Sequence, residues 1–314
     1  METRAASRFF ELAVVFVFLA CPAIHAQIPH RLERCLPYPT FAQEIENANQ
    51  EANQQTPQPR VVIIEDVEFD GLIHLSETGR EKFVPELKQY RPPADSRWIE
   101  GIEEAGIRGA WQDEGYFTVL GRAKAQVLYA DAEAQHVSLI ITVDEGLQYR
   151  LESVQLRPVD PETATALFPP AELRKAIPLR DGDLFDVSKI REGLDALRRL
   201  YSSEGYIDFT AMPVTDVDNE GQRISLIIEL DEQKQFRVGK VEILGLAPKT
   251  ESLLRSKLKP GDIFNSQILE DFYKNNKSAL PEDTSPADKQ LIRNVKQGTV
   301  DLVFDFRTCP QPED

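Results

Sequence analysis

Four histidines, His25, His30, His74 and His136, are the side chains best suited to carry protons or ligate metal. None stands in a His-Glu-x-x-His pattern, the spacing that sets two imidazoles on one helical face around zinc, and no Gly-x-Ser-x-Gly turn presents a serine nucleophile. Asp216, Asp218, Glu220 and Gly221 imitate the opening of a calcium loop, but its twelfth position is Ile227, where a bidentate glutamate is required. The same residues suit a hairpin turn. Gly182-Asp183 and Gly261-Asp262 could cradle a phosphate only inside a glycine-rich loop, which neither has, and a tight turn accounts for both. The remaining carboxylates, without a cleft or a partner, read as solvated surface. The residues therefore point away from catalysis, and no metal or cofactor is expected.

Charge excludes a further class. With 36 Lys and Arg against 52 Asp and Glu, the formal charge is −16. A phosphate backbone is bound through cations that release its counterions, so an acidic surface repels nucleic acid and anionic headgroups alike. The acidic excess itself reads as a means of solubility.

The N-terminus reads as an address. Arg4 and Arg8 precede the apolar run from Leu12 to Ala20, followed by Pro22 and the small-residue stretch ending at Ala26, so residues 1–26 are expected to be a signal peptide cleaved after Ala26. The run is too short to span a bilayer. Leu19-Ala20-Cys21 resembles part of a lipobox, although Phe18, Leu19 and Pro22 fit it poorly. Residues 27–59, rich in Gln, Asn, Glu and Pro, read as a flexible leader. Cys35 and Cys309 are a candidate disulfide pair in an oxidising compartment, against the alternative of two free or intermolecularly paired thiols. No segment beyond Ala20 is long and apolar enough for a membrane helix, and a monomer is expected.

From Arg60 onward the chain repeats itself. Val137-Ser138-Leu139-Ile140-Ile141-Thr142-Val143-Asp144-Glu145, running on through Tyr149-Arg150 to Val154, returns as Ile224-Ser225-Leu226-Ile227-Ile228-Glu229-Leu230-Asp231-Glu232, through Phe236-Arg237 to Val241. Each copy opens on a short alternating strand: Val67-Glu68-Phe69, Val154-Gln155-Leu156, Val241-Glu242-Ile243. Two helical stretches follow. The clearest starts at the N-cap Asp186 and carries Val187, Ile190, Leu194, Leu197 and Tyr201 at three- and four-residue steps. Gly205-Tyr206 closes it, and a strand toward Val217 turns at Asp218-Asn219-Glu220-Gly221 into a return strand whose Leu226, Ile228 and Leu230 share one face. Leu139, Ile141 and Val143 match them, as do Leu302, Phe304 and Phe306. The expected fold is α+β: three tandem β-α-α-β-β units, each a three-stranded mixed sheet covered by two helices.

This order of elements, with Leu179-Arg180-Asp181-Gly182-Asp183-Leu184-Phe185, Leu200-Tyr201-Ser202-Ser203-Glu204-Gly205-Tyr206 and Asp231-Glu232-Gln233-Lys234-Gln235-Phe236, resembles the polypeptide-transport-associated (POTRA) repeat. Expected boundaries are 60–147, 148–234 and 235–309, with a tail at 310–314. The first copy keeps Trp111 to Tyr116 and Asp144-Glu145-Gly146 but lacks the Gly-Asp element, and its second helix is diluted by Gly101, Gly106 and Gly109. The third keeps Lys259 to Phe264 but has Leu280-Pro281-Glu282-Asp283 in place of Gly-Tyr.

The resemblance implies a non-catalytic, periplasmic role without a cofactor, as in the arms of BamA-like and TamA-like assembly factors and of two-partner secretion transporters. Those arms precede a membrane β-barrel and receive unfolded clients or accessory proteins. After Phe306 only Arg307 to Asp314 remain, too little for a barrel, so a stand-alone arm or a truncated product is expected. The family places the second strand of each unit at a sheet edge, here about 118–128, 207–217 and 290–295, where an extended client can add itself as a strand. The candidate edge residues are Val119, Gln126, Met212, Val214, Arg293 and Val295. A periplasmic spacer that binds no client is the alternative.

Overall fold

The computed structural model describes residues 61–95, 97–131, 133–160, 167–281 and 289–307. The signal segment, the leader, the tail, Cys35 and Cys309 lie outside the described residues.

In the first unit, strand β1 (Val61–Asp70) leads to helix α1 (Glu77–Gln89), a segmented second helix, and strands β2 (Leu120–Ala130) and β3 (Ala134–Asp144). The second has β4 (Arg150–Pro158), α4 (Pro170–Lys175), α5 (Val187–Ser203), β5 (Thr210–Asp218) and β6 (Arg223–Asp231). The third has β7 (Arg237–Leu244), α6 (Pro248–Lys257), α7 (Ser266–Asn275), β8 (Lys289–Asn294) and β9 (Thr299–Asp305). Each sheet has its last strand in the middle: β1-β3-β2, β4-β6-β5 and β7-β9-β8. The first strand runs parallel to the central one and the second antiparallel, which makes each sheet mixed.

Alternation decides the cores. Leu139 and Ile141 in β3, Leu226, Ile228 and Leu230 in β6, and Leu302 and Phe304 in β9 are buried under the helices, with Phe306 beside them, and each sheet anchors its own apolar cluster. Val143 is only partly buried. Helix α5 begins as its cap requires, the Asp186 carboxylate accepting from the Lys189 N–H at 3.1 Å, and buries Ile190, Leu197 and Tyr201. Helix α7 forms despite its polar sequence, because the Asn265 side chain caps Gln267 N–H at 2.9 Å and Leu269 and Phe272 are buried.

The glycine-diluted helix of the first unit forms in three pieces: α2 (Trp98–Gly101), a π-helical turn (Ile102–Ile107) and α3 (Arg108–Gln112). It lies directly on β2, where a Cβ on Gly121 would stand 2.4 Å from the Ile107 side chain, so glycine permits the close approach.

The turn motifs are structural. Asp218 Oδ1 accepts from the N–H groups of Glu220 and Gly221, both at 3.0 Å, which closes the β5–β6 hairpin. Gly182 and Asp183 bond back to Leu151, and Gly261 and Asp262 to Val238, so the Gly-Asp element is stitched to the first strand of its own unit.

Candidate binding edges

Strands β2, β5 and β8 each pair on one side only within their sheets, as their order requires. In an antiparallel pair, opposed residues alternate between exchanging hydrogen bonds and turning their backbone groups away. The bonds at the strand ends fix which positions do which. Asp131 N–H donates to Ala134 O at 3.0 Å, so Ala134 and every second residue after it in β3 face β2. Ser138, opposite Gln126, is one of these, and the Gln126 backbone therefore faces inward. Gly121, Ala123, Ala125 and Val127 face outward, and the bulge at Leu128 restores the pairing of Tyr129 with His136.

In the second sheet, Gln222 O and Leu230 O accept from Arg150 and Val159, which turns the even-numbered residues of β6 toward β4. Ile227 and Glu229 accordingly face β5, and their partners Val214 and Met212 are committed inward. The outward positions are Ala211, Pro213, Thr215 and Val217. Pro213 has no N–H, so this edge lacks a donor at its middle. In the third sheet, Gly298 O accepts from Arg237 and Phe306 N–H donates to Leu244, leaving Lys289, Leu291 and Arg293 facing outward.

The six residues chosen from sequence therefore divide. Arg293 presents its backbone outward. Gln126, Met212 and Val214 have exposed side chains but inward backbones. Val119 precedes β2 and is buried in the first core, because the chain enters the strand from under the helix pair. Val295 sits in the turn after β8, where its carbonyl and that of Lys296 accept from Lys234 Nζ. Arg293 also carries a second duty, since its guanidinium pairs with Asp208 of the preceding unit. At the far end of β8, Lys289 lies 5.6 Å over the Tyr273 ring, and burial pulls its ammonium below the usual range against the pull of Glu270.

Both histidines within the described residues serve the fold. His74 binds Glu145 through its backbone N–H at 2.7 Å and its ring at 2.6 Å, and the Trp111 indole donates to the same carboxylate at 2.8 Å. Burial pushes the Glu145 carboxyl up, but these bonds outweigh it and hold it below its ordinary value. Its counterpart Glu232 accepts from Tyr201 Oη at 2.8 Å and Leu167 N–H at 2.7 Å. Burial and that carboxylate push the Tyr201 phenol up. His136 stacks on Tyr129 with ring centroids 4.1 Å apart and bonds Glu65 at 2.6 Å.

The units meet through duplicated joints. Gly115 O accepts from Tyr149 N–H at 2.8 Å, and Gly205 O from Phe236 N–H at 2.8 Å. The Gln148 and Gln235 amides donate to Glu114 O and Glu204 O, each at 2.9 Å. Phe117 then packs on the core of the second unit, 5.4 Å from Phe185, and Ile207 packs on that of the third.

A family model described as a surface antigen variable number repeat, the POTRA domain, matches residues 162–233. The whole arrangement is similar to repeats three to five of BamA from Haemophilus influenzae, with a TM-score of 0.57 at 19% identity over 80% of this chain and 98% of that one. The second unit matches the POTRA domain, and the three units share the fold of POTRA repeats. A Treponema pallidum (strain Nichols) protein named an outer membrane protein assembly factor is 28% identical over 216 residues, which is 64% of this chain. The chain spans 25% of that relative's length.

Proposed function

We propose that the chain is a protein-binding arm that serves outer-membrane protein assembly or polypeptide transport in the periplasm. It takes a barrel partner or extended client segments onto its open sheet edges. The open edges carry this reading: backbone donors and acceptors face outward on β2, β5 and β8, and a partner strand can satisfy them with little demand on its sequence. The likeness to a relative named for outer membrane protein assembly supports the setting. The reading includes export with cleavage after Ala26 and a monomeric chain without cofactor. The duplicated joints also suit a spacer that fixes a distance and binds no client.

One binding measurement separates the two. The full mature chain is titrated with a fluorescent peptide alternating valine and aspartate, and with the same peptide bearing proline at every second position. Strand addition predicts binding of the first and loss of the second, because proline removes the donors that pair. Equal binding of both rejects strand addition, and binding of neither rejects it and leaves the spacer.

A further inference from the structure

We propose that the cleft between the two helices of the first repeat is a docking surface separate from the sheet edges, and that it takes an amphipathic helix of a protein partner whose lysine or arginine reaches Asp113. The cleft lies in the helix layer and offers no strand to pair with.

It runs between α1 and the α2–α3 helix, encloses about 370 Å³ and is closed at one end by Ser188 and Arg191 of α5. Its walls are low. Gly79 stands on α1, and Gly106, Gly109 and Ala110 on the facing helix, over the buried ring of Phe83. Glycine in a helix interior is destabilising, and a Cβ on Gly109 would meet nothing within 4 Å, so packing within the repeat does not account for it. The second repeat fills the same places. Counting back from Trp111 to Gly115 and from Tyr201 to Gly205, Gly109, Ala110 and Asp113 stand where α5 has Arg199, Leu200 and Ser203. Arg199 is exposed there and Leu200 half-buried, and the first helix of that repeat, α4, has 6 residues against the 13 of α1.

The walls decide the form of the occupant. They are helices whose backbone groups are bonded within themselves, so an extended segment would lay its own N–H and C=O groups against a surface that cannot pair them. A helix satisfies its backbone internally, and small wall residues let its axis approach to about 8 Å, the short end of the range for packed helices. The part of α1 that lines the cleft runs from Ser76 to Glu86, about 15 Å of helix, so roughly three turns of a partner can be seated.

Charge decides its chemistry. Glu86, Asp113 and Glu114 line the cleft against Lys82 and Arg191, which leaves an excess of carboxylate. Glu114 is engaged within the repeat, its Oε2 accepting from Ser76 N–H at 2.8 Å. Asp113 differs. Its Oδ1 is buried and accepts no hydrogen bond among the described residues, and the Arg191 guanidinium stands 3.8 Å away, beyond hydrogen-bond reach. Burial pushes the Asp113 carboxyl above its ordinary value against the pull of Arg191. Ser203, in the same place one repeat later, donates to Leu200 O at 2.7 Å and so completes itself. A carboxylate has no hydrogen to give, and a cationic N–H donor is what would complete Asp113.

The test uses the full mature chain and a fluorescent, lactam-bridged helical peptide of about five turns, with leucines along one face and a lysine among them. Binding is followed by anisotropy and folding by circular dichroism. Gly109→Arg, which gives the first repeat the residue that the second has, should bind at least about tenfold more weakly, and Gly109→Ala should stay within about twofold of the parent. Asp113→Asn should bind the lysine peptide about tenfold more weakly, whereas a peptide with norleucine in place of lysine should bind Asp113→Asn and the parent alike. Unchanged binding in Gly109→Arg overturns the site. Equal binding of the lysine and norleucine peptides by the parent overturns the part given to Asp113 and with it the choice of a cationic partner. Competition by the valine–aspartate peptide also overturns the site, because that peptide reports on the sheet edges. Absence of binding by the parent overturns the proposal, and binding that emerges only once residues 27–59 are removed assigns the cleft to the chain's own leader and overturns the outside partner.

Discussion

Gly205 and Gly182 both hold φ in the left-handed region, at +85° and +89°, but their surroundings differ. A Cβ at residue 182 would meet nothing within 4 Å, whereas at residue 205 it would stand 2.6 Å from Phe236 O and 3.0 Å from the Ile263 side chain. Alanine at either site costs about 1 kcal/mol or somewhat more in backbone strain, offset in part by about 0.4–1 kcal/mol of lost unfolded-state entropy. At Gly205 the collision must also move the third repeat away, which weakens the Phe236 N–H bond to Gly205 O and the contact of Ile207 with the next core, roughly 1–2 kcal/mol more. Gly205→Ala should therefore destabilise the protein by about 1–3 kcal/mol, and by at least about 1 kcal/mol more than Gly182→Ala. Urea unfolding followed by tryptophan fluorescence and circular dichroism measures both, since Trp98 and Trp111 lie in the first repeat and circular dichroism sees all three. In Gly205→Ala the two signals should part, the third repeat melting first. Equal losses in the two variants, with superimposed transitions, would refute the account of the joint.

Phe304→Ala should cost about 3–5 kcal/mol, because a fully buried ring is removed from the third core. Urea unfolding by circular dichroism should show an early transition for that repeat while tryptophan fluorescence stays unmoved, and a common shift of both signals would count against separate cores. Glu145 gives a pH signature: its folded pKa lies below the ordinary value of 4.5, so its stabilisation is present above that value and fades as pH falls through the folded pKa. Glu145→Gln should be less stable than the parent at neutral pH, with the gap closing in acid; a gap independent of pH would contradict the sign.

The faces of these sheets were legible in the sequence because side-chain direction has a period of two. Leu226, Ile228 and Leu230 could be placed inside from their spacing alone, and Asp186 with the stripe to Tyr201 marked α5 by the same logic at a helical period. Edge chemistry was not legible in that way. Whether a backbone N–H points outward depends on the register with the neighbouring strand and on bulges, and neither leaves a mark on side-chain polarity. Met212 and Val214 thus read as open positions although their backbones are committed to β6, while Pro213 between them is the residue whose backbone faces outward. Glu103 was hidden for another reason. Among Glu100, Glu103 and Glu104 nothing in the sequence distinguishes Glu103, on the π-helical turn, whose Oε1 accepts from the Ala123 N–H of β2 at 2.8 Å, and the glycines beside it suggest only a weak helix.

The joints carry a consequence for how such a chain can grow. The acceptor glycine, the plugging apolar residue after it, and the next unit's glutamine and aromatic all sit within one repeat length, so copying a single stretch of gene also copies the connector. A newly inserted copy would need no matching change in its neighbours to be seated. Lengthening the arm is then a matter of recombination rather than of coordinated mutation. The third repeat, with Leu280-Pro281 in place of the glycine and its plug, still closes a core of its own, so a unit can fold without the connector.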